Sequence, residues 1–174
     1  QLRRMEFFPA DHLDRAQARL EEMTADSPGA GEPKPTAAGG AMQELIGLVL
    51  ASDWERVRAR IAPDVEWTDQ RVAVGMHVTD AETYLENLRA IVGLGVTAMD
   101  ATVLATRGEE HQLAHIVFRG ETRDGDAGEV AILQVNGFDP DGRIRYSSDF
   151  EPADRTRALA HLDERFIASL PVEE

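Results

Sequence analysis

VTAMDATVLATRGEEHQLAHIVFRGETRDGDAGEVAILQVNGFDPDGRIRYSSDF, residues 96–150, alternates between strand-like and turn-like composition. Apolar and β-branched residues fill four stretches: Val96–Thr106, Gln112–Gly120, Glu129–Phe138 and Arg143–Phe150. Between them stand G-E-E-H, D-G-D-A-G and D-P-D-G, whose glycines, aspartates and proline favour turns. The stretch reads as a strand meander.

Upstream of the meander the period changes from strand to helix. Met42, Leu45, Ile46 and Val49 recur at helical spacing, which predicts a helix over Ala41–Ala51. Ser52 and Glu55 in S-D-W-E have capping-box spacing and open a second helix that stops before Pro63. Val65–Thr68 reads as a strand. Thr79 and Glu82 repeat the box in T-D-A-E, ahead of a helix that buries Tyr84, Leu85, Leu88, Ile91 and Val92 and ends at Gly93 and Gly95. Downstream, Pro152 precedes a last helix over Ala153–Leu170. Helices first and antiparallel strands afterwards give an α+β class: a strongly curved antiparallel sheet, cone-shaped, with helices packed over one face.

The N-terminus repeats the end of the chain. Shifted by 142 positions, Leu2–Met23 lies over Ile144–Arg165 without a gap. Arg3, Phe8, Arg15, Ala16, Ala18, Leu20 and Glu22 then meet identical residues. The order of strand, turn and helix is preserved, so residues 1–23 are expected to be the trailing strand and helix of an upstream copy. Residues 24–40 carry three prolines and four glycines with almost nothing apolar, and read as a flexible linker. The domain proper is then 41–174.

Composition narrows the partners. Hydrophobic residues at 43% suffice for a core, and 18 basic against 32 acidic residues leave a formal charge of −14. Such a field repels a phosphate backbone, so no nucleic-acid partner is expected. No apolar run approaches the roughly 20 residues of a membrane span, so no membrane partner is expected either. Cysteine is absent, which removes disulfides, thiol catalysis and cysteine-bound metal. A cytoplasmic location fits. The histidines, His12, His77, His111, His115 and His161, include no i, i+4 pair on one helix and no H-E-x-x-H, so no metal is expected. His12 and His161 read as solvent-facing and His111 as a turn residue. No glycine-rich loop leads into a helix N-terminus to hold a cofactor phosphate, and no cofactor is expected.

The motifs I-A-P-D-V-E-W-T-D-Q-R, L-A-T-R-G-E, L-Q-V-N-G-F-D-P-D-G-R-I and A-L-A-H-L-D-E, in this order, resemble the SnoaL-like (polyketide-cyclase-like) branch of the nuclear transport factor 2 superfamily. The last helix resembles an actinobacterial subgroup whose domains sit in large multidomain regulators. The resemblance implies a cone with a pocket at its open end, a small apolar or polyketide-like ligand, and a homodimer in which a second sheet covers the outer face. The steroid isomerases of the superfamily resemble this chain from Glu44 to Asp69. Their general base falls on Asp69, their helix tyrosine on Leu45, and their protonated acid on Gln134.

Two functions follow. The first is a non-catalytic ligand-binding or protein-interaction module, one copy of a tandem array. The alternative is a small cofactor-free cyclase, isomerase or epoxide hydrolase with Asp69 as acid/base and Arg71 beside it. Asp69 and Arg71 also fit a surface pair at a solvated strand exit, worth at most about 1 kcal/mol. His115 alternates with Leu113 and Val117, which points it inward. Gln134 and Asn136 share a face with Val130, Ile132 and Phe138, and need hydrogen-bond partners. With Trp67 and Tyr84, these residues make up the expected pocket lining.

Overall fold

A computed structural model describes residues 36–71, 75–121 and 127–171. The expected upstream-copy segment 1–23, the linker up to residue 35 and the last three residues lie outside the described residues. The first helix, α1 (Ala37–Leu50), starts four residues earlier than its apolar spacing suggests. The Thr36 hydroxyl accepts from the Gly39 amide at 3.1 Å and so caps one of its orphan donors. The Ala38 amide, another such donor, is bound by the Glu109 carbonyl at 2.9 Å. Gly39 and Gly40, read as linker, are therefore the first turn of a helix.

The next two caps sit one residue later than the sequence reading places them. Asp53 caps α2 (Trp54–Ala59), while Ser52 takes a left-handed φ of 55°. Asp80 accepts from the Thr83 amide at 2.8 Å and caps α3 (Ala81–Gly93). A carboxylate accepts this bond more strongly than the neighbouring hydroxyl would. Strand β1 (Ile61–Asp69) is longer than expected and contains Pro63. Its register with the last strand slips between Ile61 and Glu66, so the proline occupies an irregular stretch where a ladder donor is not needed. A two-residue strand, β2 (His77–Val78), was not anticipated.

The meander forms as expected: β3 (Val96–Arg107), β4 (His111–Glu121), β5 (Ala127–Phe138) and β6 (Ile144–Phe150). Helix α4 (Arg155–Ser169) follows. The sheet order is β2-β1-β6-β5-β4-β3. All neighbours are antiparallel except β1 and β6, which run parallel and bring Trp67 beside Ser147 and Asp69 beside Asp149. The α+β class and curved open sheet of the sequence reading stand.

Alternation along the strands separates two cores. Ala114, Ile116 and Ile132 face inward and pack with α1, α2 and α3. Leu113, Leu133, Val135 and Phe150 face outward and pack against Ala158 and Leu162 of α4. Sequence reasoning assigns the cover of the outer face to a partner's sheet; here α4 of the same chain lies across it. His111 is not a turn residue but the buried first residue of β4. Its Nδ1 lies 2.9 Å from the Tyr146 hydroxyl and its Nε2 3.1 Å from Ser169 Oγ. His161 is half-buried rather than solvent-facing, with Nε2 3.0 Å from Ser148 Oγ.

Candidate functional site

A cavity opens between α1, α3 and the inner face of the sheet. Helix spacing explains two of its walls. Met42, Leu45, Ile46 and Val49 are one stripe of α1, and Tyr84, Asn87, Leu88 and Ile91 are one stripe of α3. Ile116, Phe118 and Ile132 of the sheet oppose them. The cavity has a volume of about 70 Å³. At about 10–15 Å³ per water, that is room for several waters or one small ligand.

Among the described residues the one carboxyl in this largely apolar lining is Asp149, which is 4% exposed. Trp67 Nε1 donates to its Oδ2 at 3.0 Å, and Gln134 Nε2 donates to its Oδ1 at 2.7 Å. These two donors hold the carboxyl plane in place. Burial pushes its pKa up to about 6; the two donors and Arg71 pull it down, while the neighbouring Asp69 charge pushes it up. Burial wins because a charge in an apolar cavity loses more hydration than two hydrogen bonds restore. Tyr84 also lines the cavity, and burial, followed by the Asp149 charge, raises its phenol above the ordinary value.

The expected lining residues divide. Trp67, Tyr84 and Gln134 lie in the cavity wall, whereas Asp69, Arg71, His115 and Asn136 do not. Asp69 is no solvated surface acid: its side chain is fully buried. Arg71 folds back onto it through Nε at 3.0 Å and Nη2 at 2.6 Å, and the Arg71 amide donates to the same carboxylate at 3.0 Å. Burial raises the Asp69 pKa, but the Arg71 contacts outweigh it and hold the group below the usual carboxylate range. A carboxylate so neutralised is a weak base. His115 does alternate with Leu113, but that is the outer face, and the ring is half-exposed there.

Asn136 is on the inner face yet lies beyond the cavity, in a row with Gln112 and Ser147 on the neighbouring strands. All three are fully buried. Both amide ends of Gln112 and Asn136 have no hydrogen-bond partner among the described residues. Sequence reasoning missed Asp149 because counting back from the D-P-D-G turn leads to β5 and Gln134. The strand after that turn, I-R-Y-S-S-D-F, places Ser147 and Asp149 on one face and Tyr146, Ser148 and Phe150 on the other. A lone acid in that alternation was the available signal.

No protein-family model and no curated protein matches the sequence. Solved structures do match in shape. RV0760c from Mycobacterium tuberculosis, solved in complex with estradiol-17beta-hemisuccinate, has a TM-score of 0.55 at 19% identity, covering 69% of this chain and 97% of that one. A Delta 5-3-ketosteroid isomerase from Mycobacterium sp. has a TM-score of 0.55 at 15% identity, covering 69% of this chain and 96% of the other. The epoxide hydrolase/cyclase-like enzyme SalBIII has a TM-score of 0.56 at 12% identity, with 65% of this chain and 88% of that chain covered. At such identities the likeness shows the fold alone, that of the nuclear transport factor 2-like proteins.

Proposed function

We propose that this domain is a small cofactor-free acid/base enzyme acting on an apolar ligand, with Asp149 moving the proton. The observation that carries the reading is the Asp149 carboxyl, buried in a largely apolar cavity, whose pKa is pushed up to about 6. A group poised near neutrality is present both as acid and as base at working pH, which general acid–base catalysis requires. As a carboxylate, Asp149 takes a proton from carbon next to a carbonyl, or from water attacking an epoxide. As the acid so formed, it returns that proton to the product, and the residue is unchanged after each turnover. Trp67 and Gln134 hold the carboxyl so that little reorganisation accompanies transfer. The neighbours named as an isomerase, an epoxide hydrolase/cyclase-like enzyme and a steroid-bound protein make such ligands a sensible first panel.

A second reading, a ligand-binding module without turnover, is favoured by Leu45 and Gln134. Both line the cavity where the resemblance to steroid isomerases expects a tyrosine and a protonated acid. In that reading the internal sequence repeat makes the domain one copy of a tandem array, and pairing into homodimers is part of the same proposal. The test is hydration of styrene oxide and isomerisation of cyclohex-3-enone by the wild type and Asp149→Asn. The enzyme reading expects turnover with an inflection near pH 6, reduced roughly 10²–10⁴-fold in the variant. Binding of both compounds without any turnover would favour the module instead.

A further inference from the structure

We infer that Asn87 is the ligand-orienting donor of this cavity, and that the ligand is a neutral, largely apolar molecule presenting one acceptor oxygen of the ketone, aldehyde or epoxide type. The inference rests on the ligand occupying the cavity assigned above, and it adds the group that recognises it. Asn87 stands three residues after Tyr84 and four before Ile91, on the stripe of α3 that faces the cavity. Every other inward position of that stripe is apolar or aromatic, so an asparagine there breaks the pattern that packing alone would select. Its Nδ2 is buried and has no acceptor among the described residues. An amide nitrogen offers two hydrogens and accepts none, so it calls for an oxygen acceptor.

The rest of the lining limits what carries that oxygen. The other polar lining groups are committed: the Trp67 and Gln134 donors are spent on Asp149, whose carboxyl bears both bonds, and the Tyr84 hydroxyl is turned to Ser147. Among the described residues no lysine, arginine or histidine lines the cavity, and its charged group is the Asp149 carboxylate. A phosphate or carboxylate would therefore enter against repulsion with no cation to meet it. A sugar would leave several hydroxyls against Leu45, Val49, Ile116 and Phe118. One donor, one proton-transfer group and apolar walls match a molecule with one acceptor oxygen and a hydrocarbon body.

The probe is acetophenone, with ethylbenzene as the analogue of similar shape lacking the oxygen. Binding to the full 174-residue chain is followed by calorimetry, and the bound ketone by its carbonyl stretch in difference infrared spectra. Wild type is expected to bind acetophenone with the stretch lowered by the hydrogen bond. Asn87→Leu is expected to bind it about tenfold more weakly, equal to about 1.4 kcal/mol, with the stretch returned to its unbonded position. Ethylbenzene should bind Asn87→Leu at least as well as wild type, which shows that the cavity is intact. An unchanged affinity and stretch in Asn87→Leu would overturn the role of Asn87 while leaving Asp149 untouched. Failure of wild type to bind acetophenone at all would overturn the ligand class. A normal ketone response without turnover would instead remove the acid/base reading and leave this one standing.

Discussion

Replacing Asp149 by asparagine should make the protein more stable at neutral pH and slightly less stable near pH 4. The carboxyl is 4% exposed, and burial, against its two donors, lifts its pKa from the ordinary 3.8 to about 6. The folded state therefore holds a proton that the unfolded state has released between those two values. Stability from this group is fully present below pH 3.8 and is lost as pH rises through about 6. At 1.36 kcal/mol per pH unit, the loss by pH 7 is about 3 kcal/mol. Asparagine never charges and escapes that loss. It has one oxygen where the carboxylate has two, so either Trp67 or Gln134 loses its acceptor, which returns about 1 kcal/mol. The net expectation is a gain of about 2 kcal/mol at pH 7, and a variant slightly less stable than wild type near pH 4. Urea denaturation of both proteins at half-unit steps from pH 4 to pH 8 measures it. A difference independent of pH, or a wild type that gains stability between pH 4 and pH 6 relative to the variant, would refute the reasoning.

Asp69→Asn acts in the opposite sense. It strips Arg71 of a buried partner and should cost about 2 kcal/mol at pH 7, since hydrogen bonds to charged groups are worth roughly 1.5–3 kcal/mol each. The Asp69 pKa is held down, so this contribution is present above the ordinary 3.8 and fades only as pH falls below it; acid unfolding of the two proteins should converge there. Gln112→Met removes both ends of a fully buried amide that has no partner among the described residues, and thermal unfolding should show a gain of about 1–3 kcal/mol. A loss of similar size would mean that Gln112 and Asn136 bond each other directly.

The fold was legible because its signals are local. The turns G-E-E-H and D-P-D-G separate apolar stretches, and α1 and α3 carry their inward stripes openly in Met42–Val49 and Tyr84–Ile91. Caps were displaced by one residue because serine–aspartate and threonine–aspartate pairs offer two caps in succession, and only geometry selects the acid. The site was less legible. Asp69 and Asp149 are paired in register only because β1 and β6 run parallel, a contact between strands some 80 residues apart that no periodicity announces. Arg71 looked like a companion to a catalytic acid, whereas its side chain folds back onto Asp69 and neutralises it. The repeat gave no help, since it sets Phe7 opposite Asp149. Asn87 escaped notice because an asparagine on a helix reads as solvated until the helix is rotated against a cavity.

Proton transfer by Asp149 is tested most directly without knowing the natural ligand, by the exchange of the acidic carbon-bound hydrogens of 2-tetralone with solvent deuterium, followed by proton NMR at pH 7. The wild type is expected to accelerate the exchange over buffer. Asp149→Asn should lose that acceleration by roughly 10²-fold or more, while Asp69→Asn, assayed at a temperature where it remains folded, should keep it. Exchange that survives in Asp149→Asn and disappears in Asp69→Asn would contradict the account, and would return the chemistry to the acid at the end of β1.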